Sequence, residues 1–127
     1  MVYLIDDDES VRRALQRLLR SAGLDVKAFS SGEEFLQSGN LGQGACTILD
    51  IRMPGLTGFD LQEKLASKGI RIPVIAISAF DDAETRERAR NLGAAAFFRK
   101  PVDGQALIDA IHWATGVTKD KSGPSDS

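Results

Sequence analysis

The residues of this chain that could do chemistry lie far apart in sequence: the acidic run Asp6-Asp7-Asp8-Glu9, a single Asp50, a hydroxyl at Ser78 and an ammonium at Lys100. Each of the first three follows a short apolar run, Val2-Tyr3-Leu4-Ile5, Thr47-Ile48-Leu49 and Pro73-Val74-Ile75-Ala76-Ile77. If Asp6, Asp7 and Asp50 share one crevice, they repel. At ~5 Å and an effective dielectric of about 20 each pair costs roughly 3 kcal/mol. Lys100 supplies one compensating charge, and a hard divalent cation with oxygen ligands supplies the rest. Mg²⁺ fits this role, with Mn²⁺ able to substitute. A carboxylate nucleophile beside a metal, an ammonium and a hydroxyl is suited to phosphoryl transfer, with a carboxylate oxygen attacking in line.

The elements that must position these residues follow from periodicity. The three apolar runs are continuous and not alternating, as in parallel strands buried on both faces. Weaker strand patterns at 25–29 and 95–98 make five. Between them, Val11, Ala14, Leu15, Leu18, Leu19 and Ala22 recur at helical spacing, with Arg12, Arg13, Gln16, Arg17 and Arg20 opposite and Gly23 as a stop. Further helices are expected at 31–38, 58–68, 82–92 and 103–115. Leu107, Ala110, Ile111 and Ala114 form the buried stripe of the last, and Asp103 is its N-cap. The helix at 82–92 has a thin stripe, Ala83, Ala89 and Leu92. Alternation of strand and helix with short links reads as an α/β fold, a doubly wound five-stranded parallel sheet with helices on both faces. Ligands of such sheets bind beyond the carboxyl ends of the strands. That rule gathers Asp6, Asp7, Asp50, Ser78 and Lys100.

Each feature also has an ordinary reading. The acidic run can cap a helix and complement its dipole, and Asp8 is expected to do so in any case. The stretch after Asp50 can be a polar turn, Lys100 a solvated lysine, and Ser78 a strand-end hydroxyl. The combination carries the argument.

Asp6-Asp7, Asp50 with Met53-Pro54 and Gly58, Ser78-Ala79 and Lys100-Pro101 together resemble the ordered signature of response-regulator receiver domains, over about residues 2–115. Ile5-Asp6-Asp7-Asp8-Glu9 and Leu49-Asp50-Ile51-Arg52-Met53-Pro54-Gly55 look most like the FixJ branch. The resemblance implies a flavodoxin-like, CheY-like fold with strand order 2-1-3-4-5. It implies that a sensor histidine kinase phosphorylates Asp50 in a two-component system. It further implies metal ligation by Asp7, by Asp6 largely through water, by Asp50 and by the Arg52 backbone carbonyl. Ser78 and Lys100 would contact the phosphoryl group, with small Ala79 leaving access to it. The Lys100-Pro101 peptide is expected to be cis. Phe97 stands where the family often has a switch tyrosine, so its signal must come from packing. Arg52 replaces a shorter side chain, and its guanidinium is expected near the phosphoryl group or an acidic neighbour.

The output face is then residues 82–92, 95–98 and 103–115, with Ile108 and Trp113 as contact residues and homodimerisation on phosphorylation as an expectation. Three alternatives stand beside this reading. A degenerate receiver would be a fixed interaction module. A haloacid-dehalogenase-type phosphatase would want an Asp where Arg52 stands. A dinucleotide-binding turn would want glycines in place of Asp6-Asp7-Asp8.

Composition sets the remaining bounds. The chain has 127 residues, enough for one domain, with 43% hydrophobic and 27% charged residues and a net charge of -2. That balance gives no electrostatic reason for nucleic-acid binding. No apolar run is long enough to span a membrane, and the first residues lack a basic leader. The cytoplasm is therefore expected, with self-phosphorylation and autodephosphorylation as the only enzymatic chemistry. Cys46, the lone cysteine, reads as a buried small hydrophobe. The receiver is expected over 1–116, with 117–127 a flexible tail or truncated linker.

Overall fold

Strands and helices alternate along the described residues: β1 (Val2–Ile5), α1 (Glu9–Ser21), β2 (Val26–Phe29), α2 (Gly32–Gln37), β3 (Cys46–Asp50), α3 (Gly58–Ser67), β4 (Val74–Ser78), α4 (Ala83–Asn91), β5 (Ala94–Arg99) and α5 (Gly104–Thr115). The computed structural model describes residues 1–39, 46–80 and 82–116; the segment expected to be a tail, 117–127, lies outside the described residues. The strands form one parallel sheet in the order β2-β1-β3-β4-β5. The expected doubly wound fold and strand order are both found.

The position of each strand explains the clarity of its sequence pattern. Every residue of the central strands β1, β3 and β4 is buried, so their sequences are continuously apolar. β2 and β5 lie at the two edges and are buried only in part, which is why they read weakly. On one face, Leu15 and Leu19 of α1 and Leu107 and Ile111 of α5 pack on Val2, Leu4, Ile48, Ile75 and Ile77. On the other, Phe35, Leu61 and Leu65 of α2 and α3 pack on Tyr3, Ile5 and Leu49. The rings of Tyr3, Phe29 and Phe35 meet there at 5.2 to 5.9 Å between centroids.

All five helices begin at a side-chain cap. Asp8, Ser31, Thr57, Asp82 and Asp103 each accept from a backbone N–H in the following turn. The expected capping by Asp8 and Asp103 is thus observed. Gly23, just beyond α1, has φ +84, a conformation that other residues enter at a cost.

Several expected stripe residues sit elsewhere. Ala14 and Ala22 of α1 are exposed, because Leu15 and Leu19 fill the interface and Leu24, after the turn, covers what lies beyond. Ala110 and Ala114 of α5 are half-buried. In α4, Ala83 is exposed in the first turn, and the buried residues are Thr85 and Ala89. Cys46 is buried as expected, and burial pushes its thiol up to about 12, so it stays protonated. Among the described residues no helix is long and apolar enough to cross a membrane.

One glycine is required by proximity. Gly58 opens α3 and donates its N–H to the Ile51 carbonyl at 3.0 Å. A Cβ there would lie 2.5 Å from the Asp50 carbonyl oxygen and 2.7 Å from the Ile51 Cα, both backbone atoms. Gly58→Ala is therefore expected to destabilise the domain by about 2 kcal/mol in urea unfolding, because backbone has to move. An unchanged midpoint would show that α3 can back away freely.

Candidate functional site

At the end of β1 the chain leaves the sheet through Asp6. Its N–H is held by the Phe29 carbonyl at 3.2 Å. Its Oδ1 accepts from the Asp8 N–H at 2.9 Å, and its carbonyl accepts from Arg12 Nη1 at 2.8 Å. Asp8 in turn caps α1, accepting from Ser10 and Val11. The acidic run therefore does both jobs: Asp8 caps, while Asp6 turns into the crevice and is buried. At the end of β3, Asp50 is also buried, and its Oδ1 accepts from the Arg52 N–H at 3.2 Å.

Lys100 joins these two strand ends. Its Nζ lies 2.9 Å from Asp6 Oδ2 and 3.3 Å from Asp50 Oδ2. Its backbone N–H donates to the Ser78 carbonyl at 2.8 Å, and its peptide bond to Pro101 is cis. Asp7 is exposed at the rim. One oxygen each from Asp6, Asp7 and Asp50 lies within 4.8 Å of the others, a group that could hold a metal ion. The donor set suits a hard cation, since all three donors are carboxylate oxygens. Asp6 Oδ2 supplies an independent observation. It is buried, and the close positive neighbour it has is the Lys100 ammonium at 2.9 Å, which Asp50 shares.

The other expected residues are placed less uniformly. Ser78 is fully buried at the end of β4, where its Oγ accepts from the Phe80 N–H at 3.0 Å. Ala79 is exposed. Phe97 lies away from the carboxylates, half-buried beside Ile51, Ala76 and Ala89, with the Arg86 guanidinium 4.9 Å from its ring. The Arg52 guanidinium, expected near the phosphoryl group or an acidic neighbour, stacks instead on the exposed ring of Phe80 at 4.4 Å. An aromatic face attracts the guanidinium at lower desolvation cost. Arg12, expected on the solvated face of α1, is half-buried and braces the Asp6 backbone. Its place one turn into the helix, behind the acidic run, is the only sequence signal for that role.

Burial and charge act on Asp50 in opposite senses. Burial raises its pKa most, the neighbouring Asp6 charge adds to this, and Lys100 opposes it; the balance lies at about 7. Burial works against the Lys100 ammonium, but its bond to Asp6 and the charges of Asp50 and Asp6 outweigh this and hold its pKa above the usual lysine value. Between about pH 4 and 7 the unfolded chain has lost the Asp50 proton while the fold retains it. Stability from this group therefore falls as pH rises through that window. In EDTA, Asp50→Asn is expected to stabilise the domain by about 2 kcal/mol at pH 8 and by almost nothing at pH 4, read by urea unfolding. A gain independent of pH would contradict this origin.

Known proteins share this fold and much of this sequence. The family model for the response regulator receiver domain matches residues 2–112. Nodulation protein W of Bradyrhizobium diazoefficiens is 44% identical over 115 residues, 91% of this chain and 51% of that protein. Response regulator protein TmoT of Ectopseudomonas mendocina is 46% identical over 115 residues, 90% of this chain and 52% of that protein. The chain thus spans about half the length of these relatives. Among solved structures, the response regulator StyR superposes with a TM-score of 0.84 at 41% identity, covering 94% of this chain and 61% of that one. FixJ-N does so with a TM-score of 0.82 at 32% identity, covering 92% and 94%. With fold, strand-end carboxylates and sequence in agreement, this chain belongs to the response regulator receiver domain family, with FixJ-type regulators among its relatives.

Proposed function

We propose that this chain accepts a phosphoryl group on Asp50 from a sensor histidine kinase and uses it to reset a distant surface. The observation that carries this reading is the meeting of three carboxylate oxygens within 4.8 Å, with the Lys100 ammonium 2.9 and 3.3 Å from two of the carboxylates. Asp6, Asp7, Asp50 and the Arg52 backbone carbonyl would hold Mg²⁺, or Mn²⁺ in its place. When bound, the metal supplies positive charge for the carboxylates and for the oxygens of the transferring group.

The chain's own residues do the rest. An Asp50 carboxylate oxygen attacks phosphorus in line, and the bond to the donor breaks as the new one forms. Lys100 shares its charge with the incoming group and relaxes its hold on Asp50. Ser78 Oγ exchanges the Phe80 N–H for a phosphoryl oxygen by donating its own proton in a hydrogen bond. Ala79, small and exposed, leaves room for that group. Support for this assignment comes from the orientation already in place, since Ser78 and Lys100 are linked through their backbones.

The signal leaves through α4, β5 and α5. Movement of Ser78 pulls on the segment leading into α4, and Phe97 repacks against Ile51, Ala76 and Ala89. Taking the domain from about 1% to about 99% active requires phosphorylation to favour the active form by roughly 5.5 kcal/mol. This face, where Trp113 is 49% exposed, would then pair with a second copy or contact a partner or output domain.

Incubation with acetyl phosphate and Mg²⁺ is expected to add one phosphoryl group to the intact mass, and Asp50→Asn or EDTA to abolish the gain. Equal labelling of Asp50→Asn would place the chemistry elsewhere. The Arg52–Phe80 stack joins the segments that follow Asp50 and Ser78, and its loss would loosen both around an aspartyl phosphate. Arg52→Asn should therefore shorten the aspartyl-phosphate lifetime severalfold in a mass-resolved decay; an unchanged lifetime would remove that role.

A further inference from the structure

α4 buries only small side chains, and it is also held by Arg86 stacked on Phe97 at 4.9 Å and Arg88 on Phe59 of α3 at 4.4 Å. Its buried residues are Thr85 and Ala89, both small, and three of its nine residues are arginines. Its C-terminal turn closes on a positive-φ glycine, as those of α1 and α3 do. Leu92 donates its N–H to the Arg88 carbonyl at 3.0 Å, but Gly93, at φ +102, turns its N–H to the Arg90 carbonyl at 2.9 Å. Gly93 would have served the Ala89 carbonyl in a continued α-helix, so that carbonyl is one of the acceptors a helix end leaves over.

A residue of another helix serves it. Gln62, on α3 and 2% exposed, donates from Nε2 to the Ala89 carbonyl at 3.2 Å. Only the NH₂ end of an amide can bond a carbonyl, which fixes the orientation of the side chain. Its Oε1 is buried and has no hydrogen-bond partner among the described residues. The fold therefore keeps an amide in an apolar setting with one unsatisfied acceptor, where a leucine or methionine would fill the space without it. Gln62, Leu92 and Gly93 also line an open cleft of about 440 Å³ beyond the N-terminal end of β4, together with Ile72 and Pro73. That space lets the end of α4 move without displacing core.

We propose that Gln62 is a latch: its buried amide caps the C-terminal turn of α4 and holds the helix in the seat it occupies without phosphate. It is a positioning residue, remote from the carboxylates, and it sets how readily the helix yields to the pull from Ser78. The latch itself rests on contacts alone, whereas its regulatory consequence rests on the reading of Asp50 as phosphoacceptor.

The test uses Gln62→Leu and, as a second unbranched replacement, Gln62→Met. Amide hydrogen exchange without phosphodonor should be about fivefold faster at residues 90–93 in both variants, the amount one buried hydrogen bond provides. Protection in β1, β3, α1 and α5 should stay as in the wild type. Unchanged exchange at 90–93, or a uniform increase across the domain, would overturn the latch. With acetyl phosphate and Mg²⁺, both variants should then be phosphorylated severalfold faster than the wild type. If the wild type takes no phosphoryl group, the phosphoacceptor reading fails while the exchange result stands. If the wild type is labelled and the variants match its rate, the regulatory role of the latch fails.

Discussion

Two carboxylates taken out of water within reach of each other are a cost, and the strand ends of this domain are arranged around meeting it. Lys100 lies within ion-pair distance of both Asp6 and Asp50, and it can do so only because β5 delivers it beside β4, whose neighbour β3 ends in Asp50. The ammonium is one charge facing three carboxylates once Asp7 at the rim is counted. The site is therefore under-neutralised, and burial, with the Asp6 charge adding to it and Lys100 opposing it, raises the Asp50 pKa to about 7. That deficit is what supports the proposal of a metal and a phosphoryl group at this site.

The same constraint explains the buttressing around the crevice. Gly58 must lack a Cβ because α3 starts against the backbone of Asp50 and Ile51. Arg12 reaches back from α1 to the Asp6 carbonyl, and Asp8 ties the same turn to the helix it caps. Arg12 and Asp8 thus tie the first acidic turn to α1, and a carboxylate cluster that repels internally needs such bracing to keep one geometry.

Much of this arrangement is legible in the amino-acid sequence. The central strands announce themselves because both their faces are buried, so Val2–Ile5 and positions 74–77 are apolar up to the strand end. The site residues are legible for the same reason, as the first polar positions after those runs. What stays hidden is set by tertiary contact. Arg52 stands out as unusual, but its partner Phe80 lies 28 positions on and is brought close by strand pairing. Arg12 looks like one more surface arginine. Gln62 gives no signal, because a lone glutamine in an amphipathic helix reads as solvated until its partner, the Ala89 carbonyl, is seen. Ala14 and Ala83 mark the opposite error: alanine is compatible with a buried stripe without being evidence for one.

The central claim is that the crevice makes Asp50, among its three carboxylates, the one that takes phosphate. Reduction of the phosphorylated chain with borohydride converts an acyl phosphate of aspartate into homoserine, which peptide mass mapping then locates. Homoserine at position 50, with Asp6 and Asp7 intact, is the expected result. Homoserine at position 6 or 7, or none in a chain that has gained a phosphoryl group, would contradict the account.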